Sequence, residues 1–294
     1  MKLLITGSSG QLGHALSRIS KIQHIDIFEG DLPHFDILDA PNTEKKVLFF
    51  QPDIIINAAA YTLVDQSENE ADKAFAINQD GPATLAGICR TKRIPLIHIS
   101  TDYVFDGKKG TAYIEDDPVS PLGVYGKSKE AGEKEIRKRL TEHVIMRTSW
   151  LYGIHGNNFV KTMLKLGKER DVVRVVSDQK GSPTCAEDLA EAIINVAKKI
   201  LSRKPSRWGT YHYCNSGVIS WYEFAQSIFQ IAACYDTFKV DQVIPITTAE
   251  YPTLTTRPPF SALNCEKIRK NFDIEQKPWK ESLEQTIKTI VSPG

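Results

Sequence analysis

Across the first 180 residues, short apolar runs alternate with stretches in which apolar positions recur every three or four residues. The runs "KLLIT" (2–6), "HIDIF" (24–28), "DIIINAAA" (53–60), "LIHIS" (96–100) and "VIMRTS" (144–149) read as strands, and most of the intervals between them read as amphipathic helices. Such alternation predicts an α/β fold of Rossmann type, a doubly wound parallel sheet with helices on both faces. From Ser182 the order is less regular. A helix is expected at Ala186–Ser202, a strand near Thr210–Cys214, a helix at Ser220–Ala233, a strand near Val240–Ile246 and a last helix around Trp279–Val291. Together they predict a smaller C-terminal α/β lobe over the carboxyl edge of the sheet. The expected division is therefore 1–181 for the sheet domain and 182–294 for the lobe, with the chain able to cross between them.

Composition narrows the function classes. With 41% hydrophobic and 25% charged residues and a formal net charge of +1, the 294-residue chain lacks the basic balance of a nucleic-acid binder. The acidic "EDD" (115–117) and basic "RKR" (137–139) read as solvated surface. Five cysteines without C-x-x-C spacing predict reduced thiols and a cytoplasmic setting. "MKLLITGSSG" reaches a glycine turn too soon for a signal segment or a membrane span. The seven histidines show no metal-ligand spacing, and no metal is expected.

"ITGSSGQLG" puts Gly7, Gly10 and Gly13 directly after the first strand, at the opening of the first helix. Glycines there allow a tight turn and let a pyrophosphate approach backbone N–H groups at a helix N-terminus, whose partial positive charge favours an anion. A dinucleotide is thus expected at the first βα turn. Its adenosine ribose should meet a carboxylate after the second strand, Asp31 or the nearby Glu29, and a carboxylate repels a 2′-phosphate. Charge alone leans to NADH over NADPH. The small residues of "NAAAYT" (57–62) would let backbone lie flat beside the cofactor.

In "VYGKSKEAGEKEIRKRL" (124–140) Tyr125 and Lys129 stand four apart and share one helix face. A nearby cation favours the phenolate of a tyrosine, which eases proton exchange near neutral pH. In a ketone reduction the Tyr125 phenol would give its proton to the carbonyl oxygen while Lys129 held the nicotinamide ribose. "HISTDYVFDG" lies just upstream at a strand end, where the Thr101 hydroxyl could share the substrate oxygen.

Later blocks are more specific. "STDYVFDG", "VYGKSKEAGEK", "RTSWLYG", "GNNFVKTMLKLGKER", "SDQKGSPT" and "RPPFSALNCEKI" resemble, in order and spacing over nearly the whole chain, the dTDP-4-dehydrorhamnose reductases among the extended short-chain dehydrogenase/reductases. The resemblance implies reduction of dTDP-6-deoxy-L-lyxo-4-hexulose to dTDP-L-rhamnose with NADPH or NADH. It implies Thr101, Tyr125 and Lys129 as the catalytic set. For the cofactor it implies Gly10, Gln11, Leu12, Asp31, Asp36, Ile37, Ala60, Tyr61 and Thr62, besides Tyr125 and Lys129, with Gly7 from the turn itself. For the substrate it implies Thr101, Asp102, Trp150, Asn157, Asn158, Gln179 and Arg257. Trp150 at a strand end also reads as core, and Arg257 in "TTRPPFS" as an exposed loop residue. Some relatives hold a magnesium ion at a dimer contact through a glutamate where this chain has Ala15. A methyl cannot ligate it, so a monomer or weak homodimer without magnesium is expected. The competing readings are a related nucleotide-sugar 4-ketoreductase or epimerase, a 4,6-dehydratase, and a non-catalytic protein like the regulatory β subunit of methionine adenosyltransferase.

Overall fold

The computed structural model describes residues 1–202 and 207–291. Its strands are β1 (Lys2–Thr6), β2 (Asp26–Gly30), β3 (Ile54–Asn57), β4 (Leu96–Thr101), β5 (His143–Thr148), β6 (Leu151–Tyr152), β7 (Val172–Val176), β8 (Lys180–Gly181), β9 (Thr184–Cys185), β10 (Gly209–His212), β11 (Ile219–Ser220) and β12 (Gln242–Ile246). The helices are α1 (Gln11–Ile22), α2 (Ala40–Phe50), α3 (Ala71–Phe75), α4 (Gly81–Lys92), α5 (Val124–Arg139), α6 (Phe159–Glu169), α7 (Ala186–Leu201), α8 (Trp221–Ala232), α9 (Glu266–Phe272) and α10 (Trp279–Val291).

Six strands form one parallel sheet in the order β10-β5-β4-β3-β1-β2. Successive residues of a strand face opposite sides, and here each side has its own core. Leu3, Ile5, Ile54, Ile56, Ile97, Val144 and Met146 pack on one face with α1 and α7. Leu4, Ile55, Leu96 and Ile145 pack on the other with α2, α4 and α5. Burial on both faces is why these strands read as continuous apolar runs rather than as alternating ones. A fully buried isoleucine such as Ile55 contributes about 2–3 kcal/mol through that burial.

A third core holds Tyr152, Val160, Val173, Phe224, Ile228 and Leu283, joining α6, β7, α8 and α10 into the smaller unit. Ser220 starts α8 with a capping box. Its Oγ accepts the Glu223 N–H at 3.2 Å and its own N–H donates to Glu223 Oε2 at 2.7 Å, an arrangement worth about 1 kcal/mol. The chain crosses between the two packing units. Before residue 181, α6 and β7 lie in the smaller unit; after it, α7 and β10 lie in the sheet layer. Strand β2 begins two residues later than the apolar run suggests, because the end of α1 unwinds through His24 at φ +52° and Ile25 N–H returns to Ser20 O at 2.9 Å. Among the described residues no helix is long and apolar enough to cross a membrane.

Candidate active site

Strand order reverses between β1 and β3, so the loops at their carboxyl ends diverge and leave a crevice there. Gly7 sits in this crevice at φ +68°, and a Cβ on it would stand 2.6 Å from Ala59 N. A Cβ on Gly13 would overlap the Gly7 carbonyl. Glycine at both positions therefore lets the turn, the loop after β3 and α1 close on one another. Gly10 is the N-cap of α1 and makes no side-chain cap, and the first turn, with Gln11 and Leu12, carries no acid. Its free N–H groups suit an anion.

Asp31 borders the same loop: Oδ2 accepts the Ser9 N–H at 2.7 Å and Oδ1 the Leu32 N–H at 2.8 Å. Glu29, the other candidate, is turned away to Lys21 at 2.9 Å. Asp36 closes a local turn onto Leu38 N at 2.9 Å, and Ile37 is buried against Gly81 at the start of α4. After β3, Ala60 is half-buried, Thr62 is exposed, and the Tyr61 ring turns inward with its hydroxyl on Glu70 at 3.0 Å. The Tyr61 peptide is gripped on both sides by Asn78, which accepts its N–H at 2.9 Å and donates to its carbonyl at 3.0 Å. Asn78 Nδ2 also reaches Ser128 Oγ on α5 at 3.0 Å. It lies in a π-helical turn (Ala76–Asp80), and Gly132 lets α5 close directly onto its carbonyl.

Thr101 ends β4 and Tyr125 begins α5, with the Thr101 hydroxyl beside the phenol. Thr101 Oγ1 donates to Asp102 Oδ1 at 3.0 Å and accepts Tyr103 N–H at 3.2 Å. Tyr103 meets the Tyr125 ring edge-on, centroids 5.5 Å apart. Burial pushes the Asp102 carboxyl up to about 6, while Ser261 and Thr101 favour the carboxylate. Lys129 is 2% exposed, and its Nζ donates to Ile99 O at 2.7 Å. Burial lowers it to about 8, with Glu133 opposing. The shared helix face is as expected, but the expected pull of the lysine on the phenol is not seen. Burial pushes Tyr125 well above its ordinary value, Thr101 working against the rise and Asp102 and Tyr103 adding to it. The reason is the direction of Nζ, which uses its hydrogen bonds on β4 instead.

The remaining expected residues ring this center unevenly. Trp150, at φ +47° just past β5, stacks on Trp221 with centroids 3.5 Å apart and rests on Gly181. Arg257 pairs with Asp65 at 2.8 Å, and its charge favours the Tyr103 phenolate. Asn158 caps α6 through Lys161 N at 3.0 Å and bonds Gln11 Oε1 at 2.9 Å, so it stands by the glycine turn. Asn157 is exposed, and Gln179 is buried with Nε2 on Thr248 at 3.0 Å. Ala15 is buried in the core shared by α1 and α7. The sequence reading missed Glu68, whose Oε1 accepts the Val124 N–H at 2.9 Å and the Thr255 hydroxyl at 3.3 Å. It also missed Asn78, Ser261 and Trp221. Ser261 lies within "RPPFSALNCEKI" (257–268); for Glu68 and Asn78 no local pattern gave a signal.

A family model described as the RmlD substrate binding domain matches residues 1–292. A dTDP-4-dehydrorhamnose reductase from Aggregatibacter actinomycetemcomitans is 42% identical over 288 residues, covering 96% of this chain and 97% of that protein. Among solved structures, a dTDP-4-dehydrorhamnose reductase from Clostridium acetobutylicum superposes with a TM-score of 0.91 at 38% identity, covering 99% of each chain. The enzyme of the same name from Bacillus anthracis, solved in complex with NADP, gives a TM-score of 0.90 at 40% identity over 97% of this chain and 98% of that one. Matched from end to end by the family model and by these relatives, the chain belongs to the dTDP-4-dehydrorhamnose reductase family.

Proposed function

We propose that the chain reduces the 4-keto group of dTDP-6-deoxy-L-lyxo-4-hexulose to give dTDP-L-rhamnose, using NADPH or NADH. The observation that carries the reading is the juxtaposition of Thr101 and Tyr125 at the carboxyl edge of the sheet, beside the glycine crevice, in a chain of this family. When bound, the reduced nicotinamide supplies the hydride to the carbonyl carbon. The protein manages the proton. Held well above its ordinary value, the Tyr125 phenol keeps its proton throughout the neutral range and gives it to the oxygen as charge develops there. Thr101 Oγ1, beside the phenol, is itself held by Asp102, to which it donates, and by the Tyr103 N–H, which it accepts. Lys129, at about 8, is mostly charged at pH 7 and would hold the nicotinamide ribose.

Gly7, Gly10, Gln11 and Leu12 would hold the pyrophosphate, and Asp31 the adenosine ribose. Asp36 and Ile37 would flank the adenine, and Ala60, Tyr61, Thr62 and Lys129 the nicotinamide half. Asp102, Trp150, Asn157, Asn158, Gln179 and Arg257 would meet the nucleotide sugar. For Arg257 this requires sharing or leaving Asp65, an exchange that a diphosphate favours because it accepts a guanidinium's paired hydrogen bonds. The test is incubation of the protein with the keto sugar and each reduced cofactor, with the product identified by NMR. Equimolar cofactor oxidation and dTDP-L-rhamnose are expected. Dinucleotide binding without turnover, or the opposite C4 alcohol, would contradict the assignment.

A further inference from the structure

Four side chains, each at most 2% exposed, form a line across the sheet beneath the site: Thr6 on β1, Asn57 on β3, His98 on β4 and Lys129 on α5. Thr6 Oγ1 and the Ala59 backbone N–H both donate to Asn57 Oδ1, at 2.6 and 3.2 Å. A backbone N–H can only donate, so the second contact fixes which end of the amide is oxygen. The other end, Nδ2, is therefore a donor, and it stands 2.9 Å from His98 Nδ1. That nitrogen has to accept. Burial, reinforced by Lys129 and His143, holds the His98 imidazole well below its ordinary value, so the ring is neutral and its single hydrogen sits on Nε2. This N–H faces Lys129 Nζ at 3.5 Å.

We propose that His98 is a positioning residue for Lys129. Its tautomer, set by Asn57, aims a donor at Nζ, opposes the ammonium form and leaves the lysine with a proton it gives up readily. The proposal rests on the reading of Tyr125 and Lys129 given above. In each turnover Tyr125 loses a proton to the sugar oxygen; because Nζ is turned to β4, the Lys129 ammonium returns one to the phenolate through a bridging hydroxyl, and the neutral amine accepts from His98 Nε2–H until water restores its proton. Other charges near the line come from α5 and β5. Glu133 on α5, bonded through both oxygens to Arg147 on β5 at 2.8 and 2.6 Å, favours the ammonium. His143 on β5 presses on His98; β3 carries no charged residue, and the one on β1, Lys2, stands at the opposite end of its strand from Thr6. The sign of the His98–Lys129 contact is thus decided at Asn57.

Asn57→Asp tests this. The substitution is isosteric and keeps Oδ1 with its two partners, but it turns the donor into a carboxylate oxygen. The ring must then carry a hydrogen on Nδ1, and in its neutral form it presents a lone pair to Nζ. Nitrogen-15 NMR of histidine-labelled full-length protein should show the Nε2–H form in wild type and the Nδ1–H form in Asn57→Asp. The alkaline limb of kcat should move up by about one pH unit or more, with KM for the reduced cofactor unchanged within about twofold. His98→Gln, which can offer its amide oxygen to Asn57 and its NH2 to Lys129, should keep the wild-type limb. A wild-type ring protonated on Nδ1 overturns the proposal whether or not the variants fold, and so does a switched tautomer with an unmoved limb. If instead Tyr125→Phe and Lys129→Met kept full turnover, the reading of the site itself would fail.

Discussion

Lys129 Nζ donates to the backbone carbonyl of Ile99 at 2.7 Å, anchoring the first turns of α5 to β4 just behind the Thr101 hydroxyl. The bond is made by a buried cation, and burial holds Lys129 at about 8 instead of its ordinary 10.5. Between those values the unfolded chain binds more protons than the folded one, so stability rises with pH from about 8 to about 10.5, and the cost is fully present below 8. Lys129→Met should therefore stabilise the protein at pH 7 by up to about 3 kcal/mol, less about 1 kcal/mol for the lost hydrogen bond. The gain should vanish above pH 10.5, as read by urea unfolding across that range. Activity should be lost in the same variant.

Asp102 works in the opposite sense. Its carboxyl is raised from 3.8 to about 6, so the folded chain binds more protons between those values and stability falls as pH rises through them. Asp102→Asn keeps an acceptor for the Thr101 hydroxyl and removes the buried charge. It should gain about 3 kcal/mol at pH 7 and nothing below pH 4. In wild type, protonation near 6 lets Asp102 donate to Thr101 and so reverses the Thr101–Asp102 bond beside the phenol. The acid limb of kcat/KM near pH 6 should be absent in Asp102→Asn; a limb retained there would show that another group sets it.

Asn78 joins the loop after β3 to the helix that bears Tyr125 and Lys129. Asn78→Ala leaves the Tyr61 N–H and carbonyl without their partner in a buried setting. A loss of about 2–4 kcal/mol is expected, measured by urea unfolding. KM for the reduced cofactor should rise more than kcat falls, since the loop is released while Thr101 and Tyr125 stay in place. An equal fall in kcat with KM unchanged would argue against that role.

Asp31 is held at the glycine turn by Ser9. A carboxylate there accepts hydrogen bonds from a ribose diol and repels a 2′-phosphate. Asp31→Ala should raise the ratio of kcat/KM for NADPH to that for NADH by about tenfold, equivalent to roughly 1.4 kcal/mol. No change in the ratio would remove Asp31 from the ribose.

The strands of the sheet were legible because burial on both faces leaves apolar runs such as Ile54–Ile56 that few other structures need. The glycine turn and the Tyr125–Lys129 pair were legible because each is local, a matter of spacing within one turn or helix. Membership of layers was not. Most of the sixteen residues of α7 are buried, which marks a well-covered helix, yet nothing in its pattern says that it packs on α1 rather than in the smaller unit. Contacts that tie distant segments were equally silent: Arg257 to Asp65 and Thr255 to Glu68 join residues nearly two hundred positions apart. The direction of Lys129 Nζ was missed for a related reason. Helical spacing fixes which face a side chain shares, whereas its hydrogen-bond partners on β4 decide where it points.

We propose the Tyr125 phenol as the proton donor. Single-turnover reduction of the keto sugar by Tyr125→Phe, with dinucleotide binding measured on the same sample, tests it most directly. The account predicts a rate lowered by about 10²–10⁴-fold with the cofactor Kd unchanged. A variant that binds the cofactor normally and keeps most of the wild-type rate would contradict it.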